Sequence, residues 1–189
     1  MILGEARPTG AGLVAVTAHI YNVAMDTHPQ TDAHTHRFDS ATPLGWVEVI
    51  ERGNAITGIN LIGTEPAVVG APPTTLFAEA ERQLREYLAG SRTEFNLPMA
   101  AQGTEFQRSV WAELAKIPYG ETRTYGQIAA SLNKPLASRA VGGANNKNPL
   151  GIVVPCHRVI GASGALVGYA SGVSHKKFLL DLERRTTKR

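Results

Sequence analysis

Thr124-Tyr125-Gly126-Gln127-Ile128-Ala129-Ala130-Ser131-Leu132-Asn133-Lys134-Pro135-Leu136-Ala137-Ser138-Arg139-Ala140-Val141-Gly142-Gly143-Ala144-Asn145 is the stretch that decides the fold. Thr124 and Gln127 form a capping box, in which a hydroxyl and an amide satisfy two backbone donors that the first turn of a helix leaves unpaired. A short helix is therefore expected to start there and to end near Leu132. Asn133-Lys134-Pro135 makes a turn. Leu136–Asn145 reads as a second helix with Pro135 close to its first turn, where a missing N–H is tolerated. Two short helices joined by a three-residue turn make a helix-turn-helix.

Working outward, Thr104-Glu105-Phe106-Gln107 is another capping box, and Phe106, Val110, Leu114 and Ile117 line one face of the helix it opens. Pro118-Tyr119-Gly120 stops that helix. Beyond the helix-turn-helix, Asn148-Pro149 is a breaker and Leu150–Val154 an apolar run. Gly161–Gly164 reads as a turn, and Ser174 is expected to cap a final amphipathic helix through about Arg184. On the N-terminal side, Trp46–Ile50 and Ala55–Ile62 are β-branched runs separated by Arg52-Gly53-Asn54, the signature of a hairpin. After Pro72-Pro73, the spacing of Phe77, Ala80, Leu84, Tyr87 and Leu88 predicts a helix over 75–89. Residues 91–102 show no periodicity and read as a connector.

The fold class is thus α+β. A small N-terminal α/β domain (36–100), made of a hairpin or sheet plus a helix, precedes a mostly helical C-terminal domain (101–189) carrying the helix-turn-helix and a cysteine loop. Residues 1–35 read as a poorly structured extension, within which Met25 could serve as an alternative start. The histidines there and at its edge, His19, His28, His34 and His36, are spaced by nine, six and two residues. That matches no compact ligand pattern, so no metal site is expected.

With 43% hydrophobic and 19% charged residues, the 189-residue chain has the composition of a globular protein rather than a disordered one. Its single cysteine, Cys156, rules out an internal disulfide framework and a cysteine-clustered zinc site. The longest apolar candidate, Leu13 to Ala24, is interrupted by Thr17, His19 and Asn22 and falls short of a membrane span of about 18 residues. No A-x-A cleavage site follows it, so a cytoplasmic protein is expected. The net charge of +3 is unevenly spread. Residues 1–96 hold 6 Lys and Arg against 11 Asp and Glu, whereas residues 97–189 hold 13 against 5. Between Tyr119 and Leu180 seven cations face one anion, Glu121. Such a basic half suits a polyanionic partner, because nucleic-acid affinity comes largely from phosphate neutralisation.

Cys156 lies in Pro155-Cys156-His157-Arg158-Val159, where cationic neighbours favour the thiolate, the nucleophilic form of cysteine. A soft, deprotonated sulfur suits in-line attack on an alkyl carbon. The adjacent His157 can take the thiol proton once a carboxylate sets its tautomer; Glu183 on the final helix is the acid best placed in sequence to do so, and Asp181 is the other candidate.

The run Ile152-Val153-Val154-Pro155-Cys156-His157-Arg158-Val159-Ile160, with Gly168-Tyr169 and Leu179-Leu180-Asp181-Leu182-Glu183, resembles the O6-alkylguanine-DNA alkyltransferases. The likeness extends upstream through Tyr119–Gly126 and Arg139-Ala140-Val141-Gly142 to Asn148-Pro149. It covers residues 103–184 closely and 36–90 loosely.

The resemblance implies a monomeric DNA-repair protein that needs no cofactor and binds duplex DNA carrying O6-alkylguanine. It would move the alkyl group irreversibly to Cys156, once per molecule, with O4-alkylthymine as a further substrate class. It makes His157 the base, acting through a water with Glu183 behind it, and makes Asn148 the residue that holds the loop. Tyr125 would stabilise charge on the leaving guanine. Pro155, Val159, Tyr169 and Ala170 would contribute to the base pocket. Arg139 would fill the gap left by an extruded nucleotide. Ala137, Ser138, Ala140 and Gly142 would let the second helix press against the minor groove, with Lys134 and Arg123 near the phosphates. Asn145-Asn146-Lys147 and Ala170-Ser171 depart from the family pattern near the alkyl pocket, so the resemblance leaves the preferred alkyl size open.

Three other readings compete. A lesion sensor of the alkyltransferase-like type would lack the acceptor cysteine that stands at position 156. A helix-turn-helix regulator should offer Arg, Gln or Asn along its recognition helix, where this chain has mostly Ala, Gly and Ser. A cysteine hydrolase usually draws its base from a distant segment and adds an oxyanion loop, and no signature of one is visible.

Overall fold

The computed structural model describes residues 33–68, 70 and 72–188. His19, His28, Met25 and nearly all of the expected N-terminal extension lie outside them. The first element is a strand, β1 (His34–Asp39), which begins two residues inside the segment assigned to the extension. It pairs antiparallel with β2 (Trp46–Arg52), which pairs antiparallel with β3 (Ala55–Leu61) across the turn at Arg52-Gly53-Asn54. Gly53 sits at φ +60°, a conformation the tight turn demands and an L side chain rarely adopts.

Val47 and Val49 of β2 are buried as the two-residue period of a strand requires, whereas Ile56 and Ile59 of β3, three residues apart, are both buried across a register shift that leaves Thr57 outside the pairing with Ile50 and Glu51. Helix α1 (Thr75–Leu88) opens with Thr74 accepting from the Phe77 N–H and buries Phe77, Ala80, Leu84, Tyr87 and Leu88.

The connector of residues 91–102 is more ordered than its sequence suggests. The Gln83 side chain clamps Asn96, donating to its carbonyl at 2.9 Å and accepting from its N–H at 2.8 Å. Past that clamp the chain runs beside β3, with the Ile56 N–H bonded to Pro98 O at 2.8 Å and the Ala100 N–H to Ile56 O at 3.0 Å. Neighbouring backbone, rather than side-chain period, dictates this segment.

The C-terminal half is helical. Helix α2 (Glu105–Ala115) starts at the predicted capping box of Thr104 and Gln107. The two-residue strand β4 (Arg123–Thr124) leads into α3 (Tyr125–Ser131), whose Thr124–Gln127 capping box is also formed. Helix α4 (Ser138–Asn146) begins two residues later than expected. Lys134–Ala137 closes a turn through an Ala137 N–H to Lys134 O bond of 2.8 Å, with Pro135 at the position where its fixed φ favours a turn. Leu136 is left fully exposed (100%) at the tip. Trp111 of α2 packs beneath α4 and donates its indole N–H to Ala144 O at 2.8 Å.

After a single 3-10 turn (Cys156–Arg158), β5 (Val159–Ile160) pairs in parallel with β4, and α5 (Val173–Thr186) closes the fold. Gly172, at φ +99°, is the residue that caps α5. Ser174 stands inside the first turn and makes no cap, a correction to the sequence expectation. The architecture is α+β, a small sheet domain followed by a helical one, and their buried apolar residues merge into one core.

Candidate active site

Strand β3 carries the cysteine loop. The Ile59 N–H bonds Pro149 O at 2.8 Å, and the Gly151 N–H bonds Ile59 O at 2.9 Å, so the loop is laced to the N-terminal sheet. A side chain at Gly151 would bring Cβ to 2.8 Å from Ile59 O, which is why this position is glycine. Ile152 then adopts φ +68° while the Val153 N–H reaches Gly151 O at 2.8 Å. A β-branched residue in that region stores about 1–3 kcal/mol of strain and persists only where surrounding bonds enforce it. Asn148 supplies some of those bonds. Its amide donates to Val154 O at 2.8 Å and to Leu150 O at 3.4 Å, and its Oδ1 accepts from the Leu150 N–H at 3.1 Å. Pro155, at φ −80° and ψ 63°, makes an inverse γ-turn with the Cys156 N–H on Val154 O at 2.8 Å, and the 3-10 turn begins with the cysteine.

Cys156 is only 6% exposed, yet it lines a pocket of about 160 Å³. Tyr169, Ala170 and Ser171 form part of the wall, Asn145 and Asn148 another part, and Ile59 and Asn60 of β3 face them. Burial pushes the thiol up from its ordinary value, while the Asn148 amide, the Lys176 charge and the Tyr169 hydroxyl act in the opposite direction. Lys176 itself is fully buried on α5. Its ammonium donates to the carbonyls of Val159 and, at 2.9 Å, Val167, and it sits 5.9 Å from the centre of the Tyr125 ring.

Behind the sulfur lies a second, sealed layer. His157 Nε2 donates to Glu183 Oε1 at 2.7 Å, and both side chains are fully buried. That bond places the proton on Nε2 and leaves Nδ1, which has no protein partner, as the lone-pair nitrogen. Burial lowers the pKa of His157, outweighing the Glu183 hydrogen bond that favours the charged form, so the neutral imidazole is the resting state. Glu183 also receives the Arg158 guanidinium, with Nε 3.0 Å from each carboxylate oxygen and a terminal nitrogen 2.9 Å from Oε1. The Gly120 N–H donates to Oε2 at 2.8 Å, and the Tyr87 hydroxyl donates to Oε1. Burial alone would raise this carboxyl, but its His157 and Arg158 partners hold it down to about 2. Asp181, the other sequence candidate, turns instead to Lys177 (2.5 Å) and Arg184 (3.8 Å).

Cys156, His157, Glu183 and Asn148 are thus brought together, and Tyr169 and Ala170 join them at the pocket. Pro155 and Val159 are buried, and neither is among the residues that line the pocket. Tyr125 points its hydroxyl at Val167 O (3.1 Å) and Gly168 O (3.4 Å), above the loop that follows β5. On α4, Arg139 and Ala140 are exposed. A Cβ on Gly142 would make ordinary contact with the Tyr125 ring, and one on Gly143 would meet nothing. The protein itself therefore has no need for so small a residue at 143. Lys134 is exposed beside Leu136, whereas Arg123 is paired with Glu121 at 2.9 Å.

Sequence reasoning missed Tyr87, Arg158 and Lys176. Arg158 carried a readable signal, a cation inside a mostly apolar run. Tyr87 carried none, since a tyrosine on the apolar face of a helix reads as core.

The chain matches two family profiles. Residues 105–185 match the description "6-O-methylguanine DNA methyltransferase, DNA binding domain" and residues 40–101 match "6-O-methylguanine DNA methyltransferase, ribonuclease-like domain". A methylated-DNA–protein-cysteine methyltransferase of Mycobacterium leprae is 48% identical over 154 residues, spanning 80% of this chain and 92% of the relative. One from Methanosarcina acetivorans is 63% identical over 107 residues, 57% of this chain and 69% of that one. Among solved structures, Mycobacterium tuberculosis OGT in complex with DNA superposes with a TM-score of 0.73 at 43% identity, covering 80% of this chain and 93% of the other.

Proposed function

The chain belongs to the 6-O-methylguanine DNA methyltransferase family, and from that membership we propose how its own residues reverse alkylation damage in DNA. It repairs the base directly, moving the alkyl group to its own cysteine. The observation that carries the assignment of roles is the buried hydrogen bond from His157 Nε2 to Glu183, which leaves Nδ1 of the residue next to Cys156 as the one imidazole nitrogen without a protein partner.

The thiol proton passes through a water to His157 Nδ1. Glu183, kept anionic by Arg158, stabilises the imidazolium that results. The Cys156 sulfur attacks the alkyl carbon in line. A carbon–sulfur bond forms, the carbon–O6 bond breaks, and its electron pair goes to guanine O6. The Tyr125 hydroxyl, held at the Val167 and Gly168 carbonyls just before Tyr169, stabilises that charge as it develops. A thioether cannot be hydrolysed under cellular conditions, so each molecule acts once.

O6 is inaccessible inside a duplex, and the nucleotide has to leave the stack at a cost of a few kcal/mol. Exposed Arg139 takes its place, and α4 seats in the minor groove along Ala137, Ser138, Ala140 and Gly142. The flat face that Gly143 also leaves gives little base readout, as suits a protein that must work in any sequence context. Lys134 meets the phosphate backbone; Arg123 must first give up Glu121. Residues 36–100 and 101–189 act as sheet and DNA-binding domains. No described helix is long and apolar enough to cross a membrane. A cytoplasmic location, where the thiol stays reduced, completes the proposal.

The direct test is intact-mass measurement after incubation with a duplex containing O6-methylguanine. One methyl gained on Cys156, in proportion to lesion removed and without turnover, is the expected result. Cys156→Ala should gain none and still bind the duplex. Lesion binding by the unaltered protein with no mass change would replace this reading with a sensor.

A further inference from the structure

We propose that Tyr87, on helix α1 of the sheet domain, is a positioning residue for the transfer: its buried hydroxyl holds Glu183 and so tunes the readiness of His157 to take the thiol proton. This rests on the reading above in which His157 Nδ1 is the base. The Tyr87 hydroxyl donates to Glu183 Oε1, the same oxygen that accepts His157 Nε2–H at 2.7 Å, and it lies 3.3 Å from Nε2 itself. Seventy residues separate Tyr87 from His157 and ninety-six separate it from Glu183, so only tertiary packing joins them.

The ring alone does not account for a tyrosine here. It meets Tyr119 edge-on at 5.7 Å and Phe95 at 5.3 Å, contacts that phenylalanine would make equally well. The side chain is fully buried, and a buried hydroxyl is costly unless it is hydrogen-bonded. Its bond goes to the one carboxylate of the proposed proton path.

The consequence follows from how Oε1 shares its electron density. Each donor on that oxygen makes it a weaker acceptor for the others. With the Tyr87 hydroxyl removed, Oε1 serves only His157 and Arg158, and it binds the Nε2 proton more strongly. The imidazolium form of His157 gains, so the nitrogen that must accept the thiol proton is occupied up to a higher pH. The other titratable groups around His157 are Glu183 and Lys176 from α5 and Cys156 and Arg158 from its own turn, with Tyr119 packed on Tyr87 and beneath Arg158. Tyr87 is the contribution of the sheet domain, and it makes the packing of α1 a part of the chemistry. The helical domain by itself holds an incomplete site.

The test compares the full-length protein with Tyr87→Phe and with 3-fluorotyrosine at position 87, which keeps the ring and makes the hydroxyl a stronger donor. Single-turnover methyl transfer from an O6-methylguanine duplex is followed by intact mass across pH 5–9, with the His157 ring titrated in parallel by NMR. In Tyr87→Phe the acid limb of the rate should move up by about half to one pH unit, a loss of roughly three- to tenfold on that limb. The plateau above it should stay within about twofold. The fluorinated protein should move the limb the other way. A fall of the same factor at every pH, or an acid limb that does not move in either protein, overturns the proposal. If the phenylalanine variant does not fold, the fluorinated protein decides alone. An unaltered protein with no acid limb at all would overturn the base assignment and the coupling with it, whereas a limb that is present but insensitive to position 87 overturns the coupling only.

Discussion

Replacing Glu183 with glutamine removes one charge from the sealed layer and nearly no volume. The carboxylate meets Arg158 at 3.0, 3.0 and 2.9 Å, His157 at 2.7 Å and the Gly120 N–H at 2.8 Å. Glutamine keeps one acceptor but turns an NH2 group toward other donors and leaves the buried guanidinium without a counter-charge. Removing one partner of a buried ion pair costs about 3–5 kcal/mol. The carboxyl value offers a second route: its displacement from 4.5 to about 2 corresponds to about 3 kcal/mol. The two agree in size. Because the folded-state value lies below the unfolded one, this stabilisation is complete above about pH 4.5 and fades as the pH falls toward 2. About 2 of the 3 kcal/mol should be gone by pH 3.

Urea unfolding followed by tryptophan fluorescence measures both effects. At pH 7, Glu183→Gln should be less stable by about 3 kcal/mol, a drop in Tm of roughly 6–12 °C for a chain of this size. Between pH 5.5 and 3 the natural protein should lose stability more steeply than the variant, which has no carboxyl to protonate there. A variant within about 1 kcal/mol of the natural protein at pH 7, or parallel stability curves down to pH 3, would refute the account of Glu183 as the buried counter-charge.

Arg139→Ala should slow transfer from duplex DNA by about tenfold or more while leaving transfer from the free modified base within about twofold, since only the duplex requires extrusion. Equal losses on both substrates, measured by single-turnover intact mass, would remove the stack-filling role. Gly151→Ala drives a Cβ to 2.8 Å from the Ile59 carbonyl, backbone that cannot step aside. It should cost about 1–3 kcal/mol by urea denaturation and loosen the cysteine loop. Unchanged stability would show that the lacing of the loop to β3 is not tight.

Much of this protein could be read before any coordinates. The capping boxes at Thr104 and Thr124, the apolar stripes of α1 and α2 and the turn at Gly53 are local devices, with donor and acceptor within four residues of each other, and they act alike in any fold. The Pro155–Val159 motif likewise placed the nucleophile and its base side by side along the chain. Between the two carboxylates offered for His157 the sequence favoured Glu183 by its place in the chain, with no physical reason to exclude Asp181. Glu183 and Asp181 are two residues apart on one helix, and only the packing of α5 turns Glu183 inward to Arg158 and leaves Asp181 with Lys177. Two further features came from folding alone: the backbone pairing of residues 98–100 with β3 and the lacing of Gly151 to Ile59. Each joins backbone groups far apart in the chain, and no side-chain period encodes such a bond. The same holds for Tyr87. Its place on an apolar helical face marked it as core, and its function as a donor exists only because the folded chain sets a carboxylate from the last helix against it.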